Sequence, residues 1–231
     1  MKKWFRQMSI AAAVVLFTGV FTVGEAAGQR KIKEILDRMD VHNKGLTTLR
    51  AKVTMVKTNS QLGESDTQAG TAIYAKGKTR EPLVRIDWEK PAESLAVKDG
   101  QYVMFVPRQG IAYTGLTKNA GKEGKSSSAL AFMNMSKAQL EANYTVVLLN
   151  EKATLSNGVM TWHLQLTPKT KTSYKTAEVW VDPDGMPNQT KIVEQNNDTT
   201  TVLLTSLEKN INLKTSNFEI SLPKGTTVKK T

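Results

Sequence analysis

A chain of 231 residues with a formal charge of +11 and no cysteine is long enough for one domain with a sizeable core. The missing thiols exclude a disulfide framework, a thiolate metal site, a cysteine nucleophile and a cysteine-borne lipid anchor. The positive charge suits anionic membrane surfaces, acidic partners or simply a well-solvated surface, and no basic run interleaved with aromatics points to nucleic acid.

The first residues read as an export signal. Lys2, Lys3 and Arg6 form a positive start, Ser9–Val23 is apolar, and Gly24, Ala26, Ala27 and Gly28 are small. The apolar run is too short and wrongly flanked for a membrane span. Cleavage is expected after Ala26. Residues 1–26 are then a signal peptide carrying net charge +2, leaving +9 on a single domain over 27–231. That domain is expected to be a soluble periplasmic monomer.

Next, Arg30–Gly45 carries apolar residues at Ile32, Ile35, Leu36 and Met39 with charges between them. That spacing predicts an amphipathic helix stopped by Gly45. Strands follow near Thr47–Thr58, Gln68–Lys76, Leu83–Glu89, Ser94–Lys98, Gln101–Val106 and Gln109–Thr114. A polar loop, Thr117–Ser128, leads into a helix expected at about Ser126–Glu141, whose apolar residues include Leu130, Phe132 and Met133. Strands resume near Tyr144–Asn150, Val159–Leu166, Tyr174–Asp182, Gln189–Gln195 and Thr200–Leu207, and the last segment, Phe218–Lys230, reads as a short strand followed by a basic tail. The breaks carry turn chemistry in "KDGQ", "SNG", "DPDG" and "NND", so neighbours should pair antiparallel. About eleven strands in one sheet must curl or close, and two amphipathic helices can cover the apolar inner face. The central helix reads either as a movable lid with adaptable methionines or as an ordinary helix on an ordinary core.

The chemistry-bearing residues form no active site. His42 ends the first helix, where an imidazolium would suit the C-terminus. His163 alternates with Thr161 and Gln165 on a polar strand face. No G-x-S-x-G, P-loop or G-x-G-x-x-G occurs. "DPDG" lacks the remaining ligands of a calcium loop and reads as a hairpin turn. The sequence offers no active site, and the expectation is a protein that is not an enzyme, with no cofactor and no metal.

Three stretches carry a family resemblance. "GTAIYAKGKTREPLVRIDWEKPAESLAVKDGQYVMFVP" (Gly70–Pro107), "AEVWVDPDGMPNQTKIVEQNNDTTTVLL" (Ala177–Leu204) and "FEISLPKGTTVKK" (Phe218–Lys230) resemble the LolA-type periplasmic carriers of outer-membrane lipoproteins. The resemblance implies an incomplete, half-open antiparallel β-barrel, mainly β, covered by a helical lid. It implies a cavity for lipoprotein acyl chains, loaded by an inner-membrane ABC transporter and emptied to an outer-membrane acceptor of the LolB kind. LolA-like carriers of another lipid, and LolA-like sensors, are the alternatives. Such carriers place an arginine directly before a proline to bond the lid. Here the order is Arg80-Glu81-Pro82, so Arg80 is the nearest match, either a lid contact or a solvated loop cation. In "LVRIDW", Val84, Ile86 and Trp88 are expected to face inward and Leu83, Arg85 and Asp87 outward; Trp88 is then core or lipid contact. The expected cavity residues are Ile35, Leu36, Met39, Arg80, Val84, Ile86, Trp88, Leu130, Phe132 and Met133. "YVMFV", Tyr102–Val106, is apolar throughout, and its facing is not assignable.

Overall fold

The computed structural model describes residues 23–77, 81–117 and 135–231. Arg80, Leu130, Phe132, Met133 and most of the expected signal segment lie outside the described residues. Two antiparallel meanders build the sheet. The first is β1 (Thr48–Asn59), β2 (Glu64–Ala75), β3 (Leu83–Glu89), β4 (Ala92–Lys98), β5 (Gln101–Val106) and β6 (Ile111–Leu116). The second is β7 (Tyr144–Thr154), β8 (Met160–Pro168), β9 (Tyr174–Val181), β10 (Pro187–Glu194) and β11 (Thr199–Lys209). The first strand of one and the last of the other pair antiparallel, Val53 opposite Leu204 and Met55 opposite Val202. A final strand, β12 (Thr227–Lys230), lies parallel beside β6. The order is β12-β6-β5-β4-β3-β2-β1-β11-β10-β9-β8-β7, with two edges that do not meet. This is the expected incomplete barrel, with twelve strands among the described residues instead of about eleven.

One face of the sheet holds the core. Ala51, Ala72, Ile86, Leu95, Met104 and Tyr113 are cross-strand partners in one row of the first meander. Met55, Val202, Thr190, Val179, Leu164 and Leu148 make the matching row across β1 and the second meander. Directly opposed residues share a face, so these rows define an inner surface. Two helices cover it, α1 (Val23–Gly45) and α2 (Lys137–Asn143). Ile35, Leu36 and Met39 of α1 and Leu140 of α2 join the same buried cluster.

Several expected boundaries move. α1 begins at Val23 rather than Arg30. The central helix was expected over Ser126–Glu141; the described helix is α2. Its start is fixed by a capping box: Ser136 Oγ accepts from the Gln139 N–H, and Gln139 Oε1 accepts from the Ser136 N–H at 2.9 Å. Such a box satisfies two otherwise orphaned donors. Gln109 belongs to a 3-10 turn, Pro107–Gln109, and β6 starts only at Ile111. "FEIS" is not a strand. A 3-10 turn, Thr215–Phe218, ends there, and the next carbonyls go to a guanidinium: Arg85 Nη1 donates to Glu219 O at 2.7 Å. The basic tail instead forms β12.

The C-terminal segment thus straps the outer face of the first meander. Phe218 is buried where its turn meets β3 and β4. Ala96 and Ala112 are buried on that outer face as well. Arg85 and Asp87 point outward with them, ion-paired at 2.9 Å, while Ile86 and Trp88 are buried on the inner side. Tyr102 and Met104 of β5 face inward and Val103 and Phe105 outward, as their partners Val97, Leu95, Ala96 and Ser94 dictate.

Two glycines allow close approaches. Gly70 lies opposite Trp88, and a Cβ there would sit 2.2 Å from Asp87 O. Gly185 closes the β9–β10 turn, where the Asp182 N–H donates to Met186 O at 2.9 Å. Its φ is +87°, and a Cβ would sit 2.3 Å from Arg38 O in α1. The turn is therefore also the seat of the helix. Gly185→Ala is expected to cost about 2–4 kcal/mol, from left-handed strain plus overpacking. Urea unfolding checks this, and a loss below about 1 kcal/mol would show that α1 is not seated on the turn.

Candidate functional site: an apolar bowl with unequal halves

The second meander and the helices fill one half of the inner surface. α1 is held there by its apolar stripe and by three polar anchors. Arg38 Nη1 donates to Pro183 O at 2.9 Å. Lys31 Nζ and the Arg38 guanidinium lie 4.9 and 5.5 Å from the Trp162 ring centre, cation–π distances. Asp37 pairs with Lys137 at 2.5 Å, tying α1 to α2. Of the expected cavity residues, Ile35, Leu36 and Met39 are buried in this half.

The other half is less full. Ile86 and Trp88 are buried, but Val84 is half-buried, and so are its neighbours on the inner surface. Leu49, Tyr74, Val84, Val97 and Tyr102 form one row, and Ala51, Ala72, Ile86, Leu95, Met104 and Tyr113 the next. Tyr74, Leu95, Val97, Tyr102, Met104 and Tyr113 are all half-buried. Glu93, opposite Trp88, lies at the margin. Burial pushes the Tyr74 phenol pKa up, keeping it neutral. The bowl therefore offers bulk, polarizable sulfur and aromatic faces, which suit a flexible hydrocarbon. Sequence reading found β3 but missed Tyr74, Leu95 and Met104. Carrying the β3 alternation across the two short turns beside it would have found Leu95 and Met104.

The histidines stand apart from the bowl's chemistry. His163 is on the outer face as expected, its Nε2 2.9 Å from Glu178 Oε2 and its ring stacked on Trp180 at 4.0 Å. Lys191 reaches the same carboxylate at 3.2 Å. The expectation of a His42 imidazolium at the helix end needs correction. Its Nε2 is buried with no hydrogen-bond partner among the described residues, and burial, then Lys209, lowers its pKa. Desolvation outweighs the helix dipole there. The Asp182 carboxylate of "DPDG" accepts from the Asp184 and Met186 N–H groups and from Asn188 Nδ2; it is spent on the turn. No cluster of three metal-ligating side chains occurs among the described residues. None of their helices is long and apolar enough to cross a membrane.

With this geometry in place, comparison is informative. Residues 44–221 match the family described as outer membrane lipoprotein carrier protein LolA. The chain belongs to the LolA family. An uncharacterized conserved protein from Thermus thermophilus superposes with a TM-score of 0.55 at 14% identity, covering 87% of this chain and 99% of that one. MucB superposes with a TM-score of 0.53 at 13% identity, covering 86% of this chain and 64% of that one. A putative outer membrane lipoprotein-sorting protein domain from Vibrio parahaemolyticus gives 0.45 at 13% identity, covering 80% and 94%. A search of curated proteins finds no match. At these identities the first two likenesses speak for the fold. In this LolA-family chain, the arginine expected to bond the lid, Arg80, falls outside the described residues. Arg85, five residues on, holds the C-terminal strap instead.

The helix anchors have a pH signature. The Lys137 ammonium, then Lys33, lowers the Asp37 pKa to about 2 from 3.8. Its contribution is present above pH 3.8 and is lost as pH falls toward 2. His42, depressed below 6.5, binds a proton more readily in the unfolded chain, so it subtracts stability as pH falls below that value. An NMR titration should find the Asp37 midpoint near 2, moving up toward the ordinary carboxylate range in Lys137→Ala. An unchanged midpoint in the variant would show that the pair does not join the helices in solution.

Proposed function

We propose that this LolA-family protein is an exported carrier that takes lipoprotein acyl chains into its apolar bowl and ferries them from the inner to the outer membrane. The supporting observation is the half-buried patch of Tyr74 and Val84 in one row and Leu95 and Met104 in the next, an inner surface that is apolar yet incompletely filled. Burial of each methylene is worth about 0.8 kcal/mol. A sixteen-carbon chain therefore resists release into water by roughly 13 kcal/mol, and unaided transit across an aqueous compartment is negligible. A bowl that shields the chain removes that barrier. The role is binding rather than catalysis, because the lining supplies bulk and desolvation, to which an acyl chain responds.

In this reading residues 1–26 direct export and are removed, and residues 27–231 work as one periplasmic, monomeric domain. An inner-membrane Lol-type ABC transporter loads it, and an outer-membrane LolB-like acceptor unloads it. Ile86 and Trp88 form the floor and Val84 the wall. Leu130, Phe132 and Met133 belong to a lid, with Arg80 as its bonding partner. Release requires that the closed, empty state be only modestly favoured.

Two experiments test the reading. Mass spectrometry of the protein purified from its native envelope should find acylated lipoprotein or lipopeptide. The pair Val84→Glu and Leu95→Glu should lower retention of a fluorescent acyl probe by at least about tenfold, since an unpaired carboxylate resists desolvation. Wild-type retention by a folded variant would remove the bowl from the function. The lid is tested separately by Phe132→Ser with Met133→Ser. A lid change should weaken acyl retention more than stability, whereas a core helix would lose about 2–5 kcal/mol for each change with retention unaltered.

A further inference from the structure

The open sheet has two edges, and they are guarded differently. β12 is four residues long, exposed, and carries Lys229 and Lys230. A short lysine-bearing strand resists further pairing. β7 is eleven residues long, and its stretch Thr145–Asn150, "TVVLLN", bears no charge. Among the described residues no strand pairs with its outer side. Val147 is 45% and Leu149 47% exposed. Protection begins at the C-terminal end of this run, where a register shift falls between Leu148 and Asn150. The pairing with β8 shifts register on both sides of Asn150, and the Asn150 side chain takes the Lys152 N–H at 2.8 Å. Glu151 and Lys152 then add charge. The regular part of the run, Thr145–Leu148, spans about 13 Å at strand spacing.

This edge borders the bowl. Val146 and Leu148 of the same strand pack against the buried cluster, and both α1 and α2 abut β7. The opening of the incomplete barrel lies between β7 and β12. A cargo with its acyl chains in the bowl must pass its polypeptide out through that opening, alongside one of these edges.

We propose that the outer edge of β7 over its regular stretch, Thr145–Leu148, receives, as an added strand, the extended peptide that follows the acylated residue of the cargo. The inference rests on the carrier reading above and extends it from the lipid to the polypeptide. A row of unpaired backbone N–H and C=O groups asks for another backbone, and main-chain bonds supply affinity without selecting sequence. The alternating Val147 and Leu149 favour small or apolar side chains at every second position. A second copy of this chain is the poorer occupant, because a charge of +9 on each mature copy opposes an isologous contact.

The test uses the mature protein, palmitate, and a palmitoylated ten-residue peptide of Ser, Thr, Val and Ala. The same lipopeptide is also made N-methylated at every second residue, in both phases. Calorimetry should show the lipopeptide binding at least about tenfold tighter than one N-methylated form, the equivalent of two lost ladder bonds. Amide exchange at Thr145–Leu148 should slow with the lipopeptide and not with palmitate. Val147→Lys with Leu149→Lys should abolish the preference and leave palmitate affinity unchanged. Equal affinities with unprotected β7 amides would overturn the edge proposal while the carrier reading stood. Binding of neither acyl probe would overturn both. Protection of β7 without any probe, rising with protein concentration as dimers form, would assign the edge to a second copy and overturn the proposal.

Discussion

Everything in this molecule depends on the pairing of β1 with β11. Those strands begin and end the two meanders, and are separated by most of the chain. Their ladder runs from Leu49 opposite Lys209 to Thr58 opposite Thr199, with one register shift between Arg50 and Lys52. Because opposed residues share a face, it forces the apolar sides of both meanders onto one continuous surface. A one-residue slip would turn Val202 and Leu204 to solvent while Val53 and Met55 stayed inside. The bowl, the seat for α1 and the position of both edges all follow from that register.

Once a single inner surface exists, the two halves are finished differently. The second meander receives α1 and α2, and its inward apolar side chains pack into the buried cluster. The first receives its cover on the outer face, where Arg85 and Phe218 hold the C-terminal strap. Charge is sorted accordingly. Arg85 and Asp87 sit outside with Lys98, which pairs with Glu219 at 2.5 Å, and the inner rows stay nearly free of ions. A wall supported from behind can leave its front unfilled.

Much of this was legible in the sequence. β3 alternates because one face is apolar and the other ionic, so the inward set was readable from "LVRIDW". The four turns were readable because glycine, asparagine and aspartate supply the needed backbone states. β5 was not readable: Tyr102 and Met104 line the bowl while Val103, beside Ala96, and Phe105, beside Ala112, are half-buried on the strapped outer face. Where both faces are covered, alternation vanishes. β12 had no local signal, because parallel pairing with a distant strand leaves no hairpin turn to announce it. The start of α2 did have one, in Ser136 and Gln139, which a pattern of apolar spacing alone overlooks. Of the site, the floor and Val84 were legible and the rest of the wall was not, since Leu95 and Met104 are assigned only through cross-strand register.

The half-buried wall has a thermodynamic consequence for the empty protein. Heat capacity and denaturant sensitivity of unfolding both scale with the surface that folding hides. A chain that leaves Tyr74, Val84, Leu95, Val97, Tyr102, Met104 and Tyr113 partly wet hides less than its length would suggest. Its unfolding should resemble that of a shorter protein, with a shallower dependence on urea and a flatter stability curve. Whatever fills the bowl completes the core from outside the sequence.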